Sequence, residues 1–462
     1  MHEREKRIDA RLILSIIATG MMSFAGVVVE TAMNITFPTL MREFQIGTST
    51  VQWITTGYLL VLAIIIPASS YLKRRFTTKA LFATAMTLFM LGTILSAITP
   101  VFSLLLLGRL IQGIGTGVAL PLMFNIVLEQ VPKKQLGLMM GVASLITAMA
   151  PAIGPSIGGM IVTLFGWRMI FIVLLPFLAV ALVMGLYSIR QVSPIEKISF
   201  NWPDYLCLAI GFSCFIFATS TASASPQVLG FLVISVVAVV IFYRRSIKSQ
   251  NALIRVQVFH YLPFSFSVLA ILCIQFICLG LGFLIPNYAQ LVSGQDAFTA
   301  GCLLLPGCLV GAMLAPISGK ILDRFGAKRP ILLGNSCIFI ATICFSLFAQ
   351  NMTMAYFYVF YLCFAFGQGS SVGNTMTNGI CQLPRELSTD GNAVINTLQQ
   401  LAGAVGTSVV ATMVATAQGR MPNDLATSTM LGSQNAFILL AMLAAVILCC
   451  SCTVFRLTRK NR

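Results

Sequence analysis

Apolar runs of about twenty residues follow one another from residue 12 to residue 455, with only short loops between them. Twenty helical residues rise roughly 30 Å at ~1.5 Å each, which matches the hydrocarbon thickness of a bilayer. Fourteen such runs are readable: 12–37, 51–72, 80–99, 102–128, 138–162, 168–188, 204–222, 227–243, 264–288, 299–318, 329–348, 352–380, 389–416 and 433–455. Backbone polar groups in lipid must be satisfied within the protein, and runs of this length do so as helices. No segment is long enough to form a separate soluble domain. Charged residues make up 9% of the chain, against about 25% in a soluble domain. That scarcity excludes both a water-soluble fold and a disordered chain.

The net charge of +16 would suit a nucleic-acid partner only if the bases formed a solvated face. Their positions say otherwise. With the N-terminus placed in the cytoplasm and sides alternating, 25 of the 29 Lys and Arg residues fall on cytoplasmic segments. The outer loops hold Arg42, Arg168 and Arg420, and Arg109 lies within a span. This is the positive-inside pattern, and it predicts fourteen crossings with both termini cytoplasmic. The first run is too long for a signal-peptide core and lacks a small-residue cleavage site, so it reads as a retained helix. All 13 cysteines follow residue 200 without metal or redox spacing, as expected of small packing residues in helices.

The chain also repeats. PASSYLKRRFTTKA at 67–80 aligns with PISGKILDRFGAKR at 316–329, placing Pro67 on Pro316, Ser69 on Ser318 and Phe76 on Phe325. Both are cytoplasmic turns between the second and third helices of a six-helix unit. The expected order is an N-terminal bundle (1–190), a two-helix insert with its flanking loops (191–260) and a C-terminal bundle (261–462). Paired bundles of this kind suit alternating access around a site at mid-membrane between them.

Several motifs resemble the major facilitator superfamily, specifically its fourteen-helix drug/proton antiporter branch. The cytoplasmic loop signature G-x-L-x-D-R-x-G-R/K-R/K is matched by Gly319, Asp323, Arg324, Gly326 and Lys328, followed by Arg329. Its first-half copy is eroded: Ser70 and Thr77 stand in for glycines and Arg74 for the Asp. The fifth run carries Gly141, Pro151, Gly154, Pro155, Gly158 and Gly159, similar to the antiporter signature G-P-x-x-G-G. Physically, its prolines remove backbone donors and kink the helix, while glycines four apart permit close helix contact. A merely kinked packing helix is the plainer alternative. The fourth run matches R-x-x-Q-G-x-G at Arg109, Gln112, Gly113 and Gly115. The first ends VVETAMNITFPTL, similar to the branch's L-D-x-T-x-x-N-x-A-L-P, with Tyr58 following in a related pattern. The resemblance implies an all-α integral membrane protein with the major facilitator fold, acting as a monomer in a bacterial cytoplasmic membrane. It also implies an exporter that uses the proton gradient and no cofactor. Its partners would be lipophilic small molecules, protons and the bilayer, with no nucleic acid.

Of the 13 acids, Glu30 alone lies deep in a span. It shares a helical face with Ser23, Gly26 and Asn34, a small polar stripe suited to water. An ionisable group within a membrane is a functional candidate by default. Glu30 sits eight residues before Pro38, roughly 12 Å below the outer surface, and Arg109 about seven residues into its span, roughly 10–11 Å down. Similar depth allows the two to pair, directly or through water, and the resemblance implies that their helices are adjacent. Glu30 is expected to carry the proton, with a cationic substrate competing for the carboxylate. A purely structural Glu–Arg pair is the alternative. Asn34, Tyr58, Gln112, Asn392, Asn396 and Gln399 are the expected cavity residues, although the last three, in line with Gly403 and Gly406, equally suit amide-assisted helix packing. No second deep acid occurs, which argues against divalent cations.

The leading expectation is a proton-coupled exporter of lipophilic, often cationic compounds. A transporter of one metabolite, lipid or peptide is the second reading, and a sensor that has lost transport the third. An enzyme is disfavoured: His2 and His260 are the only histidines, and no nucleophile–base or metal cluster appears. No G-x-x-x-x-G-K-[ST] phosphate loop occurs either.

Overall fold

The computed structural model describes residues 9–132, 136–192, 194–195, 200–221, 226–248 and 255–460. Their regular structure is helical: α1 (Ala10–Phe44), α2 (Thr48–Val51), α3 (Trp53–Arg75), α4 (Thr78–Ile98), α5 (Phe102–Gln130), α6 (Leu136–Phe165), α7 (Arg168–Ser188), α8 (Trp202–Thr219) and α9 (Pro226–Lys248). After a 3-10 turn come α10 (Leu262–Leu291), α11 (Ala297–Cys302), α12 (Leu305–Phe325), α13 (Lys328–Phe348), α14 (Met354–Ile380), α15 (Ser388–Arg420) and α16 (Leu425–Lys460). Twelve described helices, some counted with the short helix before them, are long and apolar enough to cross a membrane. Helices α6 and α14, of 30 and 27 residues, occupy the two other expected spans but fall outside that set.

Helices α1, α6, α9, α10, α15 and α16 outrun their apolar runs at both ends. Helix α1 starts where the Asp9 side chain accepts the Leu12 N–H at 2.8 Å, an N-cap. It runs through Pro38 and stops at Gln45, whose φ is 54°. Aspartates cap other helices in the same way, with Asp296 accepting from Thr299 N–H and Asp424 from Thr427 N–H, each at 2.9 Å. The expected span 299–318 is broken at Leu303–Leu304, between α11 and α12. Apolar composition records where lipid lies; caps record where backbone hydrogen bonding ends.

Within α1–α7, α1 packs on α5, α6 and α7, α3 packs on α5, and α4 packs on α5 and α7. The same pairings recur as α10 with α14, α15 and α16, α12 with α14, and α13 with α14 and α16. The end of the molecule bearing the loops at 45–47, 166–167, 292–296 and 421–424 is called distal below, and the opposite end terminal. Near the distal end the two sets of helices meet. Helix α11 lies on α6 and α2 lies on α15. Gln290 donates to the Ile35 carbonyl at 3.1 Å and Thr48 to Gln418 Oε1 at 2.7 Å. At the α6–α11 seam, a Cβ on Gly159 would lie 2.3 Å from the Ala297 carbonyl oxygen, and one on Gly301 2.2 Å from that of Pro155. Glycine is required there because backbone touches backbone.

The two repeated turns differ. The α12–α13 turn closes at Gly326 with φ of +81°, a region that favours glycine. At the aligned position of the α3–α4 turn, Thr77 has φ of −65° and caps α4 by accepting the Ala80 N–H. The first turn has no need of a glycine there, which gives the eroded copy a local reason.

Candidate functional site

The site begins with α1. Ser23, Gly26, Glu30 and Asn34 recur at helical spacing, and the helix is buried along most of its length. Glu30 is 7% exposed. It forms no hydrogen bond and no ion pair within 4.0 Å among the described residues. Arg109, Tyr58 and, from α10, Cys278 lie within its electrostatic reach.

Arg109, on α5, is completely buried. Its Nη1 donates to Gln112 Oε1 at 2.7 Å and its Nε to the Ile54 carbonyl at 3.4 Å. The guanidinium carbon sits 4.2 Å from the Tyr58 ring centroid, a cation–π arrangement. Nη2 is buried with no hydrogen-bond partner among the described residues. The positive charge is thus held by an amide, a carbonyl and an aromatic face, all neutral, and keeps one donor unused. Glu30 and Arg109 are neighbours within electrostatic range rather than a closed ion pair.

A second tier fixes these groups. Gln112 Nε2 donates to Thr93 Oγ1 at 2.8 Å, linking α5 to α4. The Tyr58 hydroxyl donates to the Gly26 carbonyl at 3.0 Å and lies 2.8 Å from Thr116 Oγ1, linking α3, α1 and α5. Thr55 donates to Asn34 Oδ1 at 2.8 Å. Gly26 is a close approach: a Cβ there would come within 2.6 Å of Thr116 Cγ2. Ser23 Oγ and Thr56 Oγ1 are also buried and unpartnered.

From the other half, α10 presents Gly282 beside Asn34, with Phe283 and Phe37 rings 5.7 Å apart. Gln368 of α14 donates to Cys278 Sγ at 3.1 Å, and the Tyr361 hydroxyl lies 3.1 Å from Cys308 Sγ. On α15, Gly403 packs against Leu279 and Gly406 against the Phe276 carbonyl of α10. Gln399 reaches Gln275 at 3.5 Å, while Asn396 turns back to Asn392, which is exposed. Gly403 and Gly406 therefore serve helix packing, and the Asn396 amide is hydrogen-bonded to Asn392.

In α6, Gly154 faces Val28 and Thr31, Gly158 faces Ala32, and Gly159 faces α11. Ser156 donates to the Gly301 carbonyl and Thr163 accepts the Phe298 N–H. Pro151 and Pro155 lie inside the same helix. Gly141 is helical, but its surroundings lie outside the described residues. So does the Asp323 side chain. In its loop, Arg324 and Arg329 stack on the Phe325 ring, at 5.3 and 5.5 Å. Gly319 faces open space, and Lys328 begins α13. In the first loop Lys73 pairs with Glu129 of α5.

Thr93, Thr55, Gln275 and Cys278 escaped the sequence reading. Helical spacing assigns a residue to a face but does not name the helix opposite. Gln275, an amide in the middle of an otherwise apolar stretch of α10, was the one available signal.

A family model described as Major Facilitator Superfamily matches residues 13–407. The chain is 35% identical to the lincomycin resistance protein LmrB of Bacillus subtilis, over 94% of this chain and 93% of that one. It is 27% identical to the multidrug resistance protein B homolog of Mycobacterium tuberculosis, over 88% and 77% of the respective chains. Among solved structures, a POT family transporter in complex with 5-aminolevulinic acid superposes with a TM-score of 0.71 at 14% identity, covering 96% of each chain. An inward-facing bacterial homolog of the human lysosomal transporter Spinster gives 0.68 at 14% identity, covering 97% and 99%. These two share the fold.

Proposed function

Since the chain belongs to the Major Facilitator Superfamily, a multi-pass transporter family of the bacterial membrane here rather than an enzyme family, we propose that it exports lipophilic, often cationic compounds in exchange for protons. The names of its relatives, which refer to lincomycin and multidrug resistance, support the drug class. In this reading the chain crosses fourteen times with its terminal end in the cytoplasm, as the basic residues require. Residues 1–190 and 261–462 form the two bundles, and 191–260 the insert.

One observation carries the coupling: the single deep carboxyl, Glu30, has no hydrogen-bond or ion-pair partner among the described residues, yet lies within reach of a buried guanidinium with a donor that none of them accepts. Protonated, Glu30 is neutral and needs no counter-charge. Ionised, it gains from Arg109 or from a cationic substrate, and the two compete. With the distal end open, protons from outside neutralise Glu30 and the substrate leaves. With the terminal end open, the proton is lost to the cytoplasm and the carboxylate takes the next cation. Tyr58, Gln112 and Asn34 hold this centre in place. The Gly319–Arg329 turn is proposed to act as a conformational clasp on the cytoplasmic side.

The test uses proteoliposomes with an imposed pH gradient and a panel of dyes, antiseptics and antibiotics chosen by growth protection. Glu30→Gln is expected to abolish gradient-driven transport of every compound that the unaltered protein moves. Normal transport by that variant would sink the assignment.

A further inference from the structure

Helix α8, the first of the insert, lies along the seam between the halves, in contact with both α3 and α15. Aromatic ties to α3 lie at both ends. Trp53 and Phe217 of α8 have ring centroids 4.8 Å apart near the distal end, and Tyr71 is 4.6 Å from Phe200, two residues before α8, near the terminal end. Leu208, Phe212 and Ile216 join Tyr58, Leu59 and Leu62 of α3 in one apolar cluster, which also takes in Ala404 of α15.

Toward α15 there is no aromatic pair among the described residues, and the polar ties lie near the distal end. Ser220 Oγ and Ser408 Oγ are 2.6 Å apart, and Thr412 Oγ1 donates to the Thr219 carbonyl at 3.3 Å. Ser220 is 8% exposed and Ser408 is fully buried. The neighbouring α2–α15 contact is of the same kind: Thr48 donates to Gln418, which donates to Thr429 at 2.8 Å. The other distal seam, between α6 and α11, is fitted backbone to backbone at Gly159 and Gly301, with one hydrogen bond each from Ser156 and to Thr163. The two sides of the distal closure therefore differ in emphasis, close backbone fit on one and side-chain hydrogen bonds that can part singly on the other.

We infer that α8 travels with the first half and that the Ser220–Ser408 contact is a latch of the distal closure, made when the distal end is shut and broken when it opens. The insert is then part of the gate. The aromatic contacts carry α8 with α3. A buried hydroxyl pair exchanged for water on opening adds a modest bias toward the closed state. The latch requires two states of the transporter and does not depend on proton coupling. Its orientation relative to the membrane rests on the proposed topology.

The test reads distal opening directly. Thr55→Cys places a thiol below the closure, and labelling by a membrane-impermeant maleimide is followed in right-side-out vesicles by mass spectrometry at position 55. Ser408→Ala in that background is expected to raise the labelling rate about fivefold, and Ser408→Thr to restore it. The Ser220→Cys, Ser408→Cys pair, oxidised, is expected to stop labelling until a reductant is added, with the single variants unaffected. Unchanged labelling in Ser408→Ala, undiminished labelling in the cross-linked pair, or failure of the pair to cross-link would each overturn the latch. The same pattern found only in inverted vesicles would keep the latch and overturn the topology.

Discussion

The guanidinium of Arg109 stacks on the ring of Tyr58, while the Tyr58 hydroxyl is tied to the Gly26 carbonyl one turn from Glu30. The charge on α5 and the carboxyl on α1 are thereby positioned through an aromatic residue of a third helix. A flat cation stacked on a ring while donating to both Gln112 Oε1 and the Ile54 carbonyl depends on the shape of the guanidinium, and a lysine lacks that shape. Arg109→Lys is expected to keep the protein folded, with little change in thermal midpoint, and to lower transport at least tenfold. Initial rates in proteoliposomes alongside a melting curve check this.

Binding should report the same competition without any gradient. When a permanently cationic substrate binds the purified protein in weakly buffered detergent near neutral pH, protons are expected to appear in solution. Glu30→Gln should release none while still binding at reduced affinity. Proton uptake on binding, or equal release by the variant, would contradict the exchange.

Gly26 allows the α1–α5 approach that brings these groups together. Gly26→Ala places a methyl against Thr116 and the Tyr58 hydroxyl, and overpacking of this kind costs about 1–3 kcal/mol. Gly282→Ala meets only Asn34 Nδ2, at 3.9 Å, and is expected to be neutral. Comparing the midpoints of the two variants separates crowding at the site from the general effect of adding a methyl to a helix.

The loop aspartates set an acid limit. Hydrogen bonds from the Thr299 side chain and backbone hold Asp296 below the usual carboxylate range, and those from the Thr427 backbone and side chain do the same for Asp424. A folded-state pKa below the unfolded one stabilises the fold above the unfolded value of about 3.9, and that contribution fades as pH falls through the folded value. Acidification of the medium to about pH 5 should therefore leave both caps intact. Asp296→Ala should cost about 0.5–2 kcal/mol at neutral pH and Asp296→Asn much less, as judged by thermal midpoints measured from pH 7 to pH 3.

Glu30 and Arg109 were legible because charge is scarce: once tails, loops and helix ends are set aside, little remains to choose from. Tyr58 and Gln112 were legible from the motifs around them. The Gly154–Gly159 stretch announced close helix contact, yet the sequence does not say that Gly159 meets α11 of the opposite half while Gly154 meets α1. Nor does it say that Gln399 finds Gln275, or that α8 bridges α3 and α15. Those pairings depend on how helices far apart in the chain are brought side by side, which no local period encodes. The break at Leu303–Leu304 was hidden for a related reason, since both of its sides are equally apolar.

The seam where Gly159 meets Ala297 and Gly301 meets Pro155 has a mechanical consequence. At these two points no side chain is interposed, so the backbones can shift against each other with only the Ser156 and Thr163 hydrogen bonds to remake. Together with the proposed latch on the opposite side, this would make the molecule move less like a pair of jaws than like a door, hung on glycine and held by hydroxyls.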